Sequence, residues 1–139
     1  MSIIEWNDRL FLLGIPDMDN THKEFVELLN QLWDAADTEF GKLFDEFIHH
    51  TTVHFQNEEE LMLACRFPAI AEHKDEHLRI LGELNQFKRS VDKGLIALGR
   101  NYIRERMPEW FRLHAATMDS ALAMQLKKTV ANLPVNTHY

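Results

Sequence analysis

Apolar residues recur at spacings of three and four along most of the chain, and no window alternates apolar and polar positions for long. The pattern therefore predicts helices and no sheet. An N-terminal arm reaches to about residue 18, closing with the turn chemistry of Gly14-Ile15-Pro16. A first long helix is predicted over about 19–36, opened by the capping residues Asp19, Asn20 and Thr21, with the stripe Phe25, Leu29, Leu32, Trp33 and Ala36. A second, over about 38–65, carries Phe40, Phe44, Phe47, Ile48, Phe55, Leu61 and Met62 and stops before Phe67-Pro68. A third covers about 69–91 with Ile70, Ile80, Leu81, Leu84 and Phe87. The fourth runs from about 94 to 130 through Ile103, Met107, Phe111, Met118, Leu122 and Leu126, and Pro108 inside it predicts a kink or a fresh start. The tail, 132–139, is expected to fray. Long helices joined by short loops are antiparallel neighbours. The expected fold is therefore all-α, an up-down-up-down four-helix bundle with an N-terminal arm, in one domain over 1–139.

Composition agrees with that picture and narrows the function. At 139 residues with 45% hydrophobic and 27% charged side chains, the chain can bury one core and is not a disordered polymer. No apolar run approaches the roughly 20 residues of a membrane span. The start of the chain has no basic region leading into an apolar one, so no secretory leader is expected. A formal charge of -7 without a basic patch disfavours nucleic acid as a partner. The single cysteine, Cys65, suits a reducing cytoplasm and is expected to pack at the end of the second helix.

Eight histidines are many for this length, and several stand where core residues belong. The stripe of the second helix passes through His54 and Glu58, four apart on one face. Between Ile70 and Leu81 the third stripe passes through His73 and His77, and on the first helix His22 precedes Phe25 by one turn. On the fourth helix His114 and Asp119 are five apart, which at about 100° per residue sets them on either side of the apolar face. Each pair taken singly is compatible with ordinary core packing. All of them together, facing inward from four helices, need a common partner, because imidazoles and carboxylates buried alone are costly. Five imidazoles and two carboxylates are too many for one first-row metal and suit two. The nitrogen and oxygen donors favour iron, with zinc, manganese or copper as substitutes, and the lack of a cysteine set disfavours iron–sulfur and structural zinc.

These residues resemble the hemerythrins, in particular single-domain bacteriohemerythrins. The similarity runs through the Trp6 arm, Gly14-Ile15, Asp19 and His22, then His54-Phe55 with Glu58-Glu59 and Met62. It continues through Phe67-Pro68, His73 and His77, and Trp110-Phe111 with His114 and Asp119. The resemblance implies a hemerythrin-like bundle holding two iron ions: His73, His77 and His114 on one, His22 and His54 on the other, with Glu58, Asp119 and an oxo or hydroxo group as bridges. Two six-coordinate irons so held would keep a single open position, on the two-histidine side. That implies reversible binding of dioxygen, for storage, delivery or sensing, rather than enzymatic turnover. The competing reading is a di-iron redox enzyme acting on peroxide or nitric oxide. An iron buffer would need a carboxylate-lined access path, which the sequence does not identify. Phe25, Phe55, Leu81, Phe111 and Met118 are the expected apolar neighbours. Ala115 and His50 depart from the family's larger aliphatic residue and aromatic residue at those places. His50, one turn before His54, is open to packing, hydrogen bonding near the vacancy, or ligation. His49 and His138 look solvated.

Overall fold

The computed structural model describes residues 2–131; the C-terminal tail, with His138, lies outside them. Four struts form the bundle: α2 (Pro16–Asp34), α3 (Asp37–Ala64), α4 (Ile70–Asp92) and a fourth made of several pieces. α3 packs on both α2 and α4, and the start of the fourth strut closes the ring against α4 and α2.

The arm contains a short helix that the periodicity does not reveal, α1 (Asp8–Phe11). The side chain of Asn7 caps it by accepting the N–H groups of Arg9 and Leu10. Asp19 proves not to be a cap. α2 starts three residues earlier, with Pro16 in its first turn where the missing N–H costs nothing. Asp19 is buried instead, and its carboxylate accepts the N–H groups of Leu13 (2.8 Å) and Gly14 (3.1 Å), tying the arm to α2. Asn30 holds the other end of the arm, accepting from Ile3 and Ile4 and donating to the carbonyl of Ile4.

Short turns separate the struts. Between α2 and α3 the Arg100 guanidinium reaches across to the carbonyls of Trp33 and Ala35 and the carboxylate of Asp37, so the last carbonyls of α2 gain a cationic partner. α3 ends in a reciprocal turn in which Phe67 N–H bonds Met62 O (2.9 Å) and Arg66 N–H bonds Leu63 O (3.3 Å). Arg66 takes the left-handed conformation (φ 55°) that this turn requires. Phe67 and Met62 then pack in one apolar cluster, with buried Cys65 beside them.

The fourth strut departs most from the single predicted helix. It consists of α5 (Ile96–Glu105), α6 (Met107–His114), one π-turn over Ala115–Asp119, and α7 (Ser120–Ala131). The break at Arg106 is the fresh start that Pro108 predicts, with the proline in the first turn of α6. The π-turn was not foreseen.

Two apolar clusters fill the interior. The larger contains Phe25, Leu29, Phe40, Phe44, Phe47, Phe55, Ile80, Leu84, Ile103, Met107 and Phe111; the smaller contains Met18, Met62, Cys65, Phe67, Leu122 and Ala123. On each strut buried polar residues stand where the two clusters meet: His22 between Met18 and Phe25, Glu58 between Phe55 and Met62, His73 and His77 before Ile80, Asp119 between Ala115 and Leu122. The bundle thus carries one polar layer at a common height between two apolar plugs.

Candidate metal centre

All seven predicted residues, His22, His54, Glu58, His73, His77, His114 and Asp119, are buried and converge in that layer. Each helix delivers its share through local geometry. His54 and Glu58 share a face of α3 at the four-residue spacing, and His73 and His77 share a face of α4 in the same way. His114 and Asp119 would diverge on an α-helix. The π-turn corrects that expectation: the Ser120 N–H bonds Ala115 O, five residues back, and residues five apart come onto one face. Asp119 Oδ1 accordingly lies 3.2 Å from His114 Nε2. The five-residue spacing was itself the signal.

The two carboxylates divide their oxygens. Glu58 Oε2 lies 2.6 Å from His54 Nε2 and 3.4 Å from His22 Nε2, whereas Oε1 lies 3.1 Å from His77 Nε2 and 3.4 Å from His73 Nε2. Asp119 Oδ2 stands 3.1 Å from His22 Nε2, and Oδ1 stands 3.1 Å from His73 Nε2. The result is two overlapping donor groups, Glu58, His73, His77, His114 and Asp119 in one, His22, His54, Glu58 and Asp119 in the other. Donors on adjacent positions of an octahedral metal with bonds of about 2.1 Å stand about 3 Å apart, close to the separations here. Within this layer Nε2 of His22, His73, His77 and His114 and three carboxylate oxygens stand buried, with nitrogen–oxygen separations of 3.1–3.4 Å but without a well-aligned hydrogen bond. Orphaned polar atoms at this density are not tolerated in a core without a further partner. The donor set fits a bound metal.

Electrostatics in the metal-free cluster point the same way. Burial alone pushes the His22 and His73 imidazoles down, but the Asp119 and Glu58 carboxylates outweigh it and raise them to about 10 and about 9. For Glu58 burial works upward, and His54, His22 and His73 hold the carboxyl well below its usual range. Asp119 is also depressed, because His114 and His22 outweigh both its burial and the repulsion of Glu58.

Aromatic rings wall the layer. Phe25 stacks on Phe111 (4.9 Å between centroids), whose edge meets His22 (5.3 Å), and Phe11 of the arm packs against Phe111. Phe55 stacks flat on His77 (3.8 Å), and Trp110 stacks on His114 (4.6 Å) while donating to Glu76 (2.8 Å). Phe25, Phe55 and Phe111 are thus the buried neighbours that the sequence suggested; Leu81 and Met118 are only half-buried. Trp110 and Glu59, whose places beside the stripes in the sequence carry no signal of their own, also reach the site through His114 and His77. His50 turns to the surface residue Glu24 (3.1 Å) and joins neither donor group. A groove of about 550 Å³ between α2 and α3 reaches His54 and Glu58 past Asp17, Asn20, Asn57 and Glu60. Met18, Leu61 and Ala64 share its lining, so the approach is mixed rather than carboxylate-lined.

The family model of the hemerythrin HHE cation binding domain matches residues 13–126. The chain belongs to the hemerythrin family. It is 37% identical to a bacteriohemerythrin of Ralstonia nicotianae over 126 residues, covering 91% of this chain and 90% of that one. It is 35% identical to a bacteriohemerythrin of Aquifex aeolicus over 117 residues, covering 78% and 87%. A crystal structure of a hemerythrin variant superposes with a TM-score of 0.79 at 23% identity, covering 91% of this chain and 98% of that one, which supports the bundle fold. The hemerythrin match spans all four struts and every residue of the buried polar layer.

Proposed function

We propose that the polar layer holds two iron ions and binds dioxygen reversibly at one of them. The carrying observation is the split of both carboxylates: each turns one oxygen toward the His22 side and the other toward the His73 side. A carboxylate so placed spans two metals, and two of them fix the pair. His73, His77 and His114 would hold the first ion and His22 and His54 the second, with Glu58 and Asp119 available to both. With one histidine fewer on the His22 and His54 side, the residues present would leave more room for dioxygen there. Bound in the layer, an iron pair would supply the two electrons of reversible dioxygen uptake, one from each ion.

The protein's own contribution is to shape and dry the site. Phe25, Phe111 and Phe11 cover the His22 side and exclude bulk water from it. The groove past Asn57 and Glu60 brings small molecules to His54. Metal analysis tests the assignment: the purified, reconstituted protein should hold about two irons per chain, as di-iron bundles do. A single tightly held zinc at full occupancy would falsify it. Steady consumption of peroxide or nitric oxide with a reductant would place the protein among di-iron enzymes instead.

A further inference from the structure

The five histidines of the layer are not held alike. Each imidazole has an outer nitrogen, Nδ1, facing away from the carboxylates. In His22, His54, His73 and His114 that atom is buried with no hydrogen-bond partner. His77 is different: its Nδ1 lies 3.2 Å from Oε2 of Glu59. A carboxylate only accepts, so the His77 ring donates from Nδ1 and presents the lone pair of Nε2 inward. The same ring is gripped on its face by Phe55, with the planes 2° from parallel. Phe55 and Glu59 are four apart on α3, each one position beyond His54 and Glu58. One stretch of helix therefore carries two interleaved pairs. The first faces the layer itself, and the second clamps a histidine that comes from α4.

We propose that Glu59 is a positioning residue for the three-histidine half of the centre, acting through His77 and making that half the stronger donor to its metal. The assignment rests on the di-iron reading above. A carboxylate on the outer nitrogen fixes the tautomer and orientation of a metal-ligating imidazole and raises its basicity. Because no other histidine of the layer has such a partner among the described residues, the effect falls on one side. It opposes the side with one histidine fewer. Glu59 is half-buried, with its side chain 29% exposed, so its removal does not hollow the core.

The test is iron release to a chelator from fully loaded protein, together with the midpoint potential of the iron, in wild type, Glu59→Gln and Glu59→Ala. Asp75→Ala serves as a control, since it removes an exposed charge from the helix that carries His77. Glu59→Ala should release iron from the three-histidine half about 10–100-fold faster, the usual scale of losing such a partner. Glu59→Gln, which keeps an acceptor without its charge, should lie between and move the potential upward with both irons retained. Asp75→Ala should leave release and potential near wild type. Release rates and potentials unchanged in both Glu59 variants, or matched by Asp75→Ala, would overturn the proposal. A wild type that never holds two irons would overturn the di-iron reading instead, so the two failures are distinguishable.

Discussion

Glu58 and Asp119 differ from the five histidines in one respect: each has two donor atoms and turns one toward either histidine group. Removing one therefore weakens both sides together. Asp119→Ala should lower metal affinity by more than the about 10–100-fold typical of merely supporting residues. The two apolar clusters should keep the variant helical by circular dichroism. Unchanged metal content in Asp119→Ala would contradict the bridging role. His50 has the opposite expectation. It is tied to Glu24 at the surface, and burial, partly opposed by that carboxylate, lowers its proton affinity. His50→Ala should retain the full wild-type iron content; loss of iron would make His50 a ligand after all. At this scale the seven layer residues were legible because a histidine or carboxylate on an apolar stripe stands out against its neighbours. Glu59 and Trp110 were not, because an acid or an indole beside a stripe looks the same whether it touches solvent or a histidine.

The π-turn belongs to the scale of the element. It is one residue inserted into an α-helix, and it lets a His–Asp spacing of five do what the spacing of four does for His54 and Glu58 on α3. Deleting the exposed Ala116 should convert the turn to α-helix and leave His114 and Asp119 on one face at the four-residue spacing. The deletion variant should therefore still take up metal. Inserting one alanine after Ala116 should rotate Asp119, Leu122 and Ala123 by about 100° away from their partners and abolish metal binding. Metal uptake that survives the insertion and fails in the deletion would show that the turn is needed for some other reason. Periodicity read with a fixed helical step cannot register such a change, so the fourth strut was drawn as one helix with His114 and Asp119 splayed. The break before Pro108 was readable, since proline signals its own position. The start of α2 was misplaced because Asp19 has the chemistry of a cap and serves as an anchor for the arm.

The whole molecule stacks a polar layer between two apolar plugs, and the cost of that layer depends on pH when metal is absent. His22 and His73 bind their protons more tightly in the folded chain than in the unfolded one. Their contribution to stability is complete below about pH 6.5 and fades as the pH rises through about 9 to 10. Glu58 and Asp119 are depressed, so theirs is present at neutral pH and is lost in acid. The melting temperature of metal-free protein should fall between pH 7 and pH 10. Metal uptake at pH 7 should release the protons of His22 and His73, measurable by calorimetry in buffers of different ionisation enthalpy. A flat melting profile and proton-free uptake would contradict this. No helix among the described residues is long and apolar enough to cross a membrane. The bundle class was legible because its signal is spread over many residues and survives local errors. The pairing of carboxylate oxygens with two histidine groups was not, because it depends on how four struts meet.

The most direct measurement is the absorption spectrum of iron-loaded, anaerobically reduced protein, recorded before air, after air, and again after the air is removed, over repeated cycles. Reversible binding should give a new charge-transfer band that appears on mixing and disappears when oxygen is withdrawn, with the iron content unchanged. A spectrum that does not respond to air, or one that converts once and never returns while reductant is consumed, would contradict reversible dioxygen binding at this centre.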